Sequence, residues 1–242
     1  MTTDRVAADL SRHLGWMTEG HWYFLARLAQ VRDDELSASS ALPGWTGRHI
    51  LSHVGHNARA LGRLAHWAAT GEPTPMYSGP SARAAEIALG ARWGPDRLRS
   101  FVEVEQDALA TALGKLDAGH WATEVVTAQG RHVTAAALPW LRTREVWVHA
   151  ADLHGAADFR DFPPTLLDEL IVDVLRFRRD AREEALRVRP TDRDTTPPFD
   201  GQAPPVWIEG HAADLARWLT GRGAANIRAS GQSALPALGP WL

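Results

Sequence analysis

The sequence of 242 residues contains no cysteine and only one lysine, Lys115. Without cysteine the chain has no disulfide, thiolate metal site or cysteine nucleophile, so any thiol chemistry requires a thiol from outside the protein. Of the 26 basic residues the other 25 are arginines, scattered among 29 acidic residues, and the formal net charge is -3. This balance disfavours nucleic acid and anionic membranes as partners.

Long apolar runs are also missing. No stretch approaches the roughly 20 apolar residues of a membrane span, and the start, MTTDRVAADLSRHLGW, lacks the basic and apolar pattern of a signal peptide. We therefore expect a cytoplasmic, monomeric protein. The sequence also lacks the HExxH motif of zinc proteases, a Walker-type phosphate loop and the G-x-S-x-G motif of a nucleophile elbow.

The spacing of apolar residues predicts four long helices in the first two thirds of the chain, over residues 4–32, 46–70, 95–116 and 134–153. Thr46 is a predicted N-cap and Gly71 a predicted C-terminal stop for the second helix, while Pro139 is placed to bend the first turns of the fourth. A loop is expected over 71–83 and a hairpin over 123–135. Four long helices with long connections indicate an antiparallel bundle.

After residue 158 the pattern changes to a mixture of helices and strands. Helices are predicted over 164–184 and 211–222, and strand-like runs occur at 185–190, 205–210 and 226–230. The predicted fold class is therefore α+β, with a four-helix bundle in residues 1–158 and a small α+β domain in residues 159–242.

Polar residues on two of the predicted helices face the same way as apolar ones. His53 lies near the centre of the probable core face of the second helix, with His49 and His56 at its flank. Glu145 and His149, four residues apart, share one side of the fourth helix. A buried carboxylate needs a partner, and two imidazoles with one carboxylate can coordinate a divalent ion. Zinc is the default ion for this set, with nickel, iron and manganese left open.

Simpler interpretations remain open at this point. A Glu and a His four residues apart often form a solvated pair on a helix surface. A single histidine on an apolar face, such as His53, is often a hydrogen-bonded core residue. The convergence of His53, Glu145 and His149 from two helices strengthens the metal-site hypothesis but leaves both alternatives open.

Several segments together resemble the mycothiol-dependent maleylpyruvate isomerase family, and the resemblance covers nearly the whole chain. They are LPGWTGRHILSHVGHNARAL, TGEPTPMY, VTAQGRHV, TREVWVHAADL and EGHAADLARWLTGRG. The resemblance implies a DinB-like metal-binding four-helix bundle, followed by a small α+β domain similar to part of a sterol-carrier-type fold. It also implies a divalent metal, zinc by expectation, on His53, Glu145 and His149, and a catalytic role for Arg222 in the GRG segment.

The resemblance further implies the reaction, which converts maleylpyruvate to fumarylpyruvate with mycothiol as cosubstrate, after opening of a gentisate-type aromatic ring. A thiolate that adds to the conjugated cis double bond makes it temporarily single, so that it rotates before the sulfur leaves. A bound metal can lower the thiol pKa, or instead polarise the substrate carbonyl. Arg222 suits a carboxylate or enolate. Spacing alone favours a helix C-terminal arginine that complements the macrodipole, and the family resemblance reverses that order.

Other residues near the expected cleft are left unassigned. Arg83, Arg131 and Arg142 are further arginines that can bind carboxylates. Tryptophans at positions 45, 140 and 147 are expected in the core. Two other functions stay open, namely a mycothiol S-transferase that releases a stable adduct and a non-enzymatic carrier that binds ligands through the C-terminal domain.

Overall fold

The computed structural model describes residues 3–153, 157–181, 186–194, 196–197, 206–232, 234–239 and 241. The chain forms two compact units, Met1–Ala157 and Asp158–Leu242. The predicted domain boundary, after residue 158, lies beside this division. None of the described helices is both long and apolar enough to cross a membrane.

Within its described residues, 3–153 and 157, the first unit is built on four long helices, accompanied by two short ones. In chain order they are α1 (Thr3–Leu28), α2 (Gly47–Thr70), α3 (Ala82–Gly90), α4 (Pro95–Leu113), α5 (Ala118–Ala122) and α6 (Leu138–Asp152). Helix α2 packs against both α4 and α6, and α1 packs against α6. The predicted bundle of four long helices is confirmed.

The ends of α2 follow the predicted capping residues. Thr46 is the N-cap, and its backbone N–H donates to Nδ1 of His49 at 3.2 Å, which assigns His49 to the start of the helix. Gly71 ends the helix with a φ of 75°, a conformation that glycine adopts without steric cost. Its N–H donates to the carbonyl of Trp67 at 2.8 Å. Both boundaries of the helix that carries His53 are therefore set by local sequence.

Other boundaries differ from the prediction. Helix α1 ends at Leu28 and not near Arg32, and α4 ends at Leu113. The fourth predicted helix begins at Leu138 and not at Thr134, because a short strand occupies 132–134 and a single 3-10 turn occupies 135–137. Pro139 lies in the first turn of α6, where its missing N–H breaks no helical hydrogen bond, so it starts the helix and does not bend it. Helices α3 and α5 were not predicted.

The predicted hairpin is confirmed. Strand β1 (Glu124–Val126) pairs antiparallel with β2 (His132–Thr134), with Val125 opposite Val133. Gly130, in the turn, has a φ of 75°. Val125 is buried and belongs to the hydrophobic core beside α2.

The second unit is a small α+β structure. Its elements are α7 (Pro164–Asp180), β3 (Val188–Pro190), β4 (Ile208–Gly210), α8 (Ala212–Leu219) and β5 (Arg228–Ala229). Strand β4 is central, parallel to β3 and antiparallel to β5, and α7 packs against α8. The observed strands lie inside the predicted runs, although residues 182–185 and 205 of those predictions lie outside the described residues. The α+β fold class is confirmed.

Close approach of α2 and α4 depends on a missing side chain. A Cβ added at Gly55 would lie 2.3 Å from Cε1 of Phe101, which is closer than any van der Waals contact. Gly62, in the same helix, has open space around it. An alanine substitution at each of these two glycines therefore distinguishes the effect of packing from the effect of helix propensity.

We expect Gly55→Ala to destabilise the protein by about 1 to 3 kcal/mol, because Phe101 must move within a packed core. Gly62→Ala, the matched control, should stabilise it by roughly 0.5 to 1 kcal/mol, because alanine favours the helix. Urea unfolding followed by circular dichroism measures both. Equal effects of the two substitutions would contradict the described packing of α2 on α4.

Candidate metal centre

Three side chains from two helices meet at one carboxylate oxygen. Glu145 Oε2 lies 2.8 Å from Nε2 of His53 and 3.2 Å from Nε2 of His149. Glu145 and His149 are four residues apart on α6, so they share a face of that helix, and His53 reaches them from α2. The two imidazole rings meet edge to face, with their centroids 4.7 Å apart. The structure brings together the three residues predicted as metal ligands.

The far side of His149 is held by a second carboxylate. Oδ2 of Asp152 lies 2.7 Å from Nδ1 of His149, and the Asp152 side chain is buried. A carboxylate at Nδ1 keeps a proton on that nitrogen and fixes the ring orientation, so that Nε2 points to Glu145. Asp152 lies a short distance from His149 on one helix face, which is the same spacing signal as that of Glu145, but no role was predicted for Asp152.

His53 is held differently. Its ring is almost fully buried and meets Trp45 edge-on, with the centroids 5.5 Å apart. Nδ1 of His53 is buried and, within the described part of the chain, has no hydrogen-bond partner. The orientation of His53 therefore depends on packing and on its contact with Glu145.

Burial and charge set the protonation states of the three groups. Burial lowers the pKa of His53 to about 4, against the attraction of Glu145, so His53 is neutral at pH 7. Burial alone would raise the pKa of Glu145, but electrostatic attraction to the two imidazoles and the hydrogen bonds of both hold it well below its usual value. Burial also opposes protonation of His149, yet hydrogen bonds to Asp152 and Glu145 raise its pKa overall.

These groups fit a divalent ion. The candidate ligand atoms of His53, Glu145 and His149 all lie within 4.8 Å of one another. His149 stands between two carboxylates, so a positive charge belongs at its position, and either a second ring proton or a metal ion on Nε2 supplies it. The side chains of Glu145 and His149 are 12% and 11% exposed, whereas that of His53 is 3% exposed. Solvent therefore reaches the group from the side of Glu145. Three protein ligands with an accessible side are typical of a catalytic metal site.

The neighbouring histidine of α2 has a structural environment. His56 Nδ1 lies 2.8 Å from the carbonyl oxygen of Ser52, and its ring packs against Phe101 and Trp93. Both the Nδ1 atom and the apolar part of the His56 ring are therefore engaged in contacts within the bundle.

The structure distinguishes the arginines that the sequence left unassigned. Arg142 is fully buried, where it donates to Gln106, to Asn57 and to the carbonyl of Val54 at 2.8 to 2.9 Å, so its guanidinium ties α6 to α2 and α4. Arg131 is exposed in the hairpin turn. Arg83 is half-buried in the first turn of α3.

Arg222 belongs to the second unit. It follows α8 between Gly221 and Gly223, whose φ values are 82° and 102°. Its Nη1 donates to the carbonyl of Thr220 at 2.5 Å, a contact expected of an arginine at a helix C-terminus. Its predicted part in catalysis stays a prediction.

Comparison with known proteins gives this arrangement a family. Residues 17–154 match the family model described as the mycothiol maleylpyruvate isomerase N-terminal domain. A crystal structure of the mycothiol-dependent maleylpyruvate isomerase is 36% identical, with a TM-score of 0.88 over 96% of this chain and 97% of that chain. The chain belongs to the mycothiol-dependent maleylpyruvate isomerase family. A crystal structure of a histidine-to-alanine mutant of that isomerase matches with the same values, whereas no curated protein matches.

Membership of the isomerase family covers both units. The family model spans α2 and α6, and therefore includes all three candidate ligands, while the matched crystal structure also extends over the second unit with Arg222. The DinB-like bundle implied by the sequence agrees with these matches. The likeness of the second unit to part of a sterol-carrier-type fold stays a prediction.

Metal binding should release one proton from this isomerase-family site at mildly acidic pH. His53 is already neutral and Glu145 already ionised there, whereas the raised pKa of His149 means that its Nε2 must lose a proton before it binds an ion. Below the pKa of His149 the apparent affinity for Co²⁺ should fall about tenfold per pH unit, and above it the affinity should level off. Calorimetric titration in two buffers of different ionisation enthalpy measures the proton count. Release of two protons, or none at any pH, contradicts these protonation states.

The same titration tests Asp152. Asp152→Asn removes one of the two carboxylates beside His149, so the affinity for Co²⁺ should fall roughly 10- to 100-fold. The pKa of His149 should also fall, so the pH below which Co²⁺ binding releases a proton should be lower than in the wild type. Asp107→Asn, which changes an exposed aspartate of α4, is the matched control and should bind Co²⁺ as the wild type does.

Proposed function

We propose that this protein is an enzyme that isomerises maleylpyruvate to fumarylpyruvate, with mycothiol as the thiol cosubstrate and a divalent metal, zinc, on His53, Glu145 and His149. The observation that carries the proposal is the convergence of these three ligands in a member of the isomerase family. The absence of cysteine from the chain supports an external thiol.

The chemistry requires a thiolate and a way to rotate a double bond. The thiolate sulfur bonds to the conjugated carbon, and the alkene electron pair moves into the adjacent carbonyl as an enolate. The former double bond rotates as a single bond, after which the enolate pair returns and the carbon–sulfur bond breaks. The thiolate leaves unchanged, so atoms and electrons balance without an oxidant or reductant.

The candidate metal ligands and Asp152 prepare the site for these steps. A divalent ion bound there would supply Lewis acidity, which lowers the pKa of a thiol or polarises a carbonyl. Asp152 holds the Nδ1 proton of His149, which keeps Nε2 available as a ligand. Burial keeps the His53 imidazole neutral, and neutral imidazole is the form that binds a metal.

We assign Arg222 to the substrate as well. A guanidinium keeps its charge at every physiological pH and offers paired donors to a carboxylate or a developing enolate. The flanking glycines leave room for a ligand to approach the backbone at this turn, and the position lies within the part of the chain that matches the isomerase structure.

We place the enzyme in the cytoplasm, as a monomer, in the catabolism of gentisate-type aromatic compounds. A cosubstrate thiol must stay reduced to act, and reducing compartments maintain that state. A mycothiol S-transferase would use the same thiol and metal, but both matched structures are isomerases.

Purified, zinc-loaded protein should convert maleylpyruvate to fumarylpyruvate only when mycothiol is present, and mass spectrometry should detect no accumulating adduct. Glu145→Gln should abolish conversion together with metal binding. Arg222→Gln should lower kcat/KM by roughly 100-fold at unchanged zinc content, whereas Arg131→Gln, the exposed control, should leave it unchanged.

Three results would contradict parts of this proposal. No conversion by metal-loaded wild type would exclude the isomerase, and a stable thiol adduct would favour the transferase. Reduced thermal stability of Arg222→Gln with unchanged kcat/KM would assign Arg222 to the end of α8 alone.

A further inference from the structure

Arg142 is a fully buried arginine that lies one turn before Glu145 on α6. Its Nη1 donates to the carbonyl of Val54 at 2.8 Å and to Oδ1 of Asn57 at 2.9 Å. Its Nε donates to Oε1 of Gln106 at 2.8 Å. One guanidinium therefore joins α6 to both α2 and α4.

The two acceptors on α2 lie beside the candidate ligand His53. Val54 is the next residue of the helix, and Asn57 lies four residues after His53 on the same face. On α6, Glu145 is three residues after Arg142 and shares its face. The hydrogen bonds of Arg142 thus connect the part of α2 that carries one ligand to the turn of α6 that carries another.

Stability alone does not account for a charge at this position. The three acceptors are uncharged, and Nη2 of Arg142 is buried without a hydrogen-bond partner in the described part of the chain. Burial lowers the pKa of Arg142 to about 10, so the guanidinium still carries its charge at pH 7. A buried charge costs free energy, and an apolar side chain of similar volume is often no less stabilising. Such exceptions to core packing are expected at functional sites.

The three candidate ligands are almost far enough apart to bind a small ion. Bonds of about 2.0 to 2.2 Å around a tetrahedral ion place two donor atoms roughly 3.3 to 3.6 Å apart. Nε2 of His53 lies 2.8 Å from Oε2 of Glu145, and Nε2 of His149 lies 3.2 Å from the same oxygen. Small movements of these side chains are therefore enough, provided that α2 and α6 keep their separation.

That separation needs a link that does not involve the ligands. An ion between His53 and Glu145 would break their hydrogen bond, which joins α2 to α6. The hydrogen bonds of Arg142 to Val54 and Asn57 would remain, because neither acceptor is a candidate ligand. They would also oppose the wider separation of the two helices that a larger ion requires.

We propose that Arg142 is a positioning residue of the metal centre, which holds α2 and α6 at the separation that suits Zn²⁺ or Co²⁺ and disfavours larger ions. The inference rests on the metal centre of the function proposed above. Arg142 acts through the positions of the two helices and not through contact with the ion.

Titration of the purified protein with Co²⁺ and with the larger Cd²⁺ tests the inference without turnover. Arg142→Met, which keeps the length of the side chain and loses its donors, should weaken Co²⁺ binding by roughly 10- to 100-fold and Cd²⁺ binding by less. The visible absorption bands of bound Co²⁺ should also shift, because they report coordination geometry. Arg142→Lys should weaken Co²⁺ binding by roughly 5-fold, because an ammonium group keeps the charge but not the planar set of donors.

Arg178→Met is the matched control. Arg178 is buried in the second unit and, like Arg142, donates to main-chain carbonyls. Its replacement should lower the thermal stability but leave both ion affinities and the Co²⁺ spectrum unchanged.

A second variant removes an acceptor and keeps Arg142. Asn57→Ala should weaken Co²⁺ binding by about 5-fold, because one hydrogen bond between α2 and α6 is lost. This variant decides the question by the same measurements where Arg142→Met does not fold.

Wild-type ion affinities and an unaltered Co²⁺ spectrum in folded Arg142→Met, or in Asn57→Ala where that protein does not fold, would overturn the inference. Wild-type protein that binds no Co²⁺ would overturn it together with the metal centre. Co²⁺ binding that depends on Arg142 in a protein without turnover would sustain it and reject the proposed isomerase.

Discussion

The carboxylate of Glu145, shared by the imidazoles of His53 and His149, is the interaction on which the arrangement of the bundle interior depends. It joins α2 to α6 at the point where each helix would otherwise bury an unsatisfied polar group. An unpaired carboxylate there would be costly, because a charge removed from water needs a partner. The need to pair this buried carboxylate joins the two helices and also creates a group of three ligands for a divalent ion.

The two histidines contribute unequally to this group. His149 is held from behind by Asp152 and carries the raised pKa, whereas His53 is neutral and is oriented by packing. Protonation chemistry is therefore concentrated on His149, and His53 is preset for coordination.

Much of this site is encoded locally. Spacing of four residues put Glu145 and His149 on one helix face, and the apolar neighbours of His53 pointed it into the bundle, so the triad followed from helical periodicity. Helix α3 was not predicted, because it has only nine residues and lay partly inside a predicted loop. The position of α3 depends on the hydrogen bond from the hydroxyl of Ser52 to the carbonyl of Ile87. These residues are 35 positions apart, so no local sequence pattern indicates the contact. The predicted role of Arg222 comes from family resemblance alone.

The most direct test of a metal centre on Glu145 is anomalous diffraction at the cobalt edge, from crystals of the wild-type protein grown with Co²⁺. We predict one strong peak within about 2.0 to 2.2 Å of Nε2 of His53, Nε2 of His149 and a carboxylate oxygen of Glu145. The ion would then separate groups that otherwise lie 2.8 and 3.2 Å apart. No peak at this position, with Glu145 still hydrogen-bonded to both imidazoles, would contradict the assignment of the three residues as metal ligands.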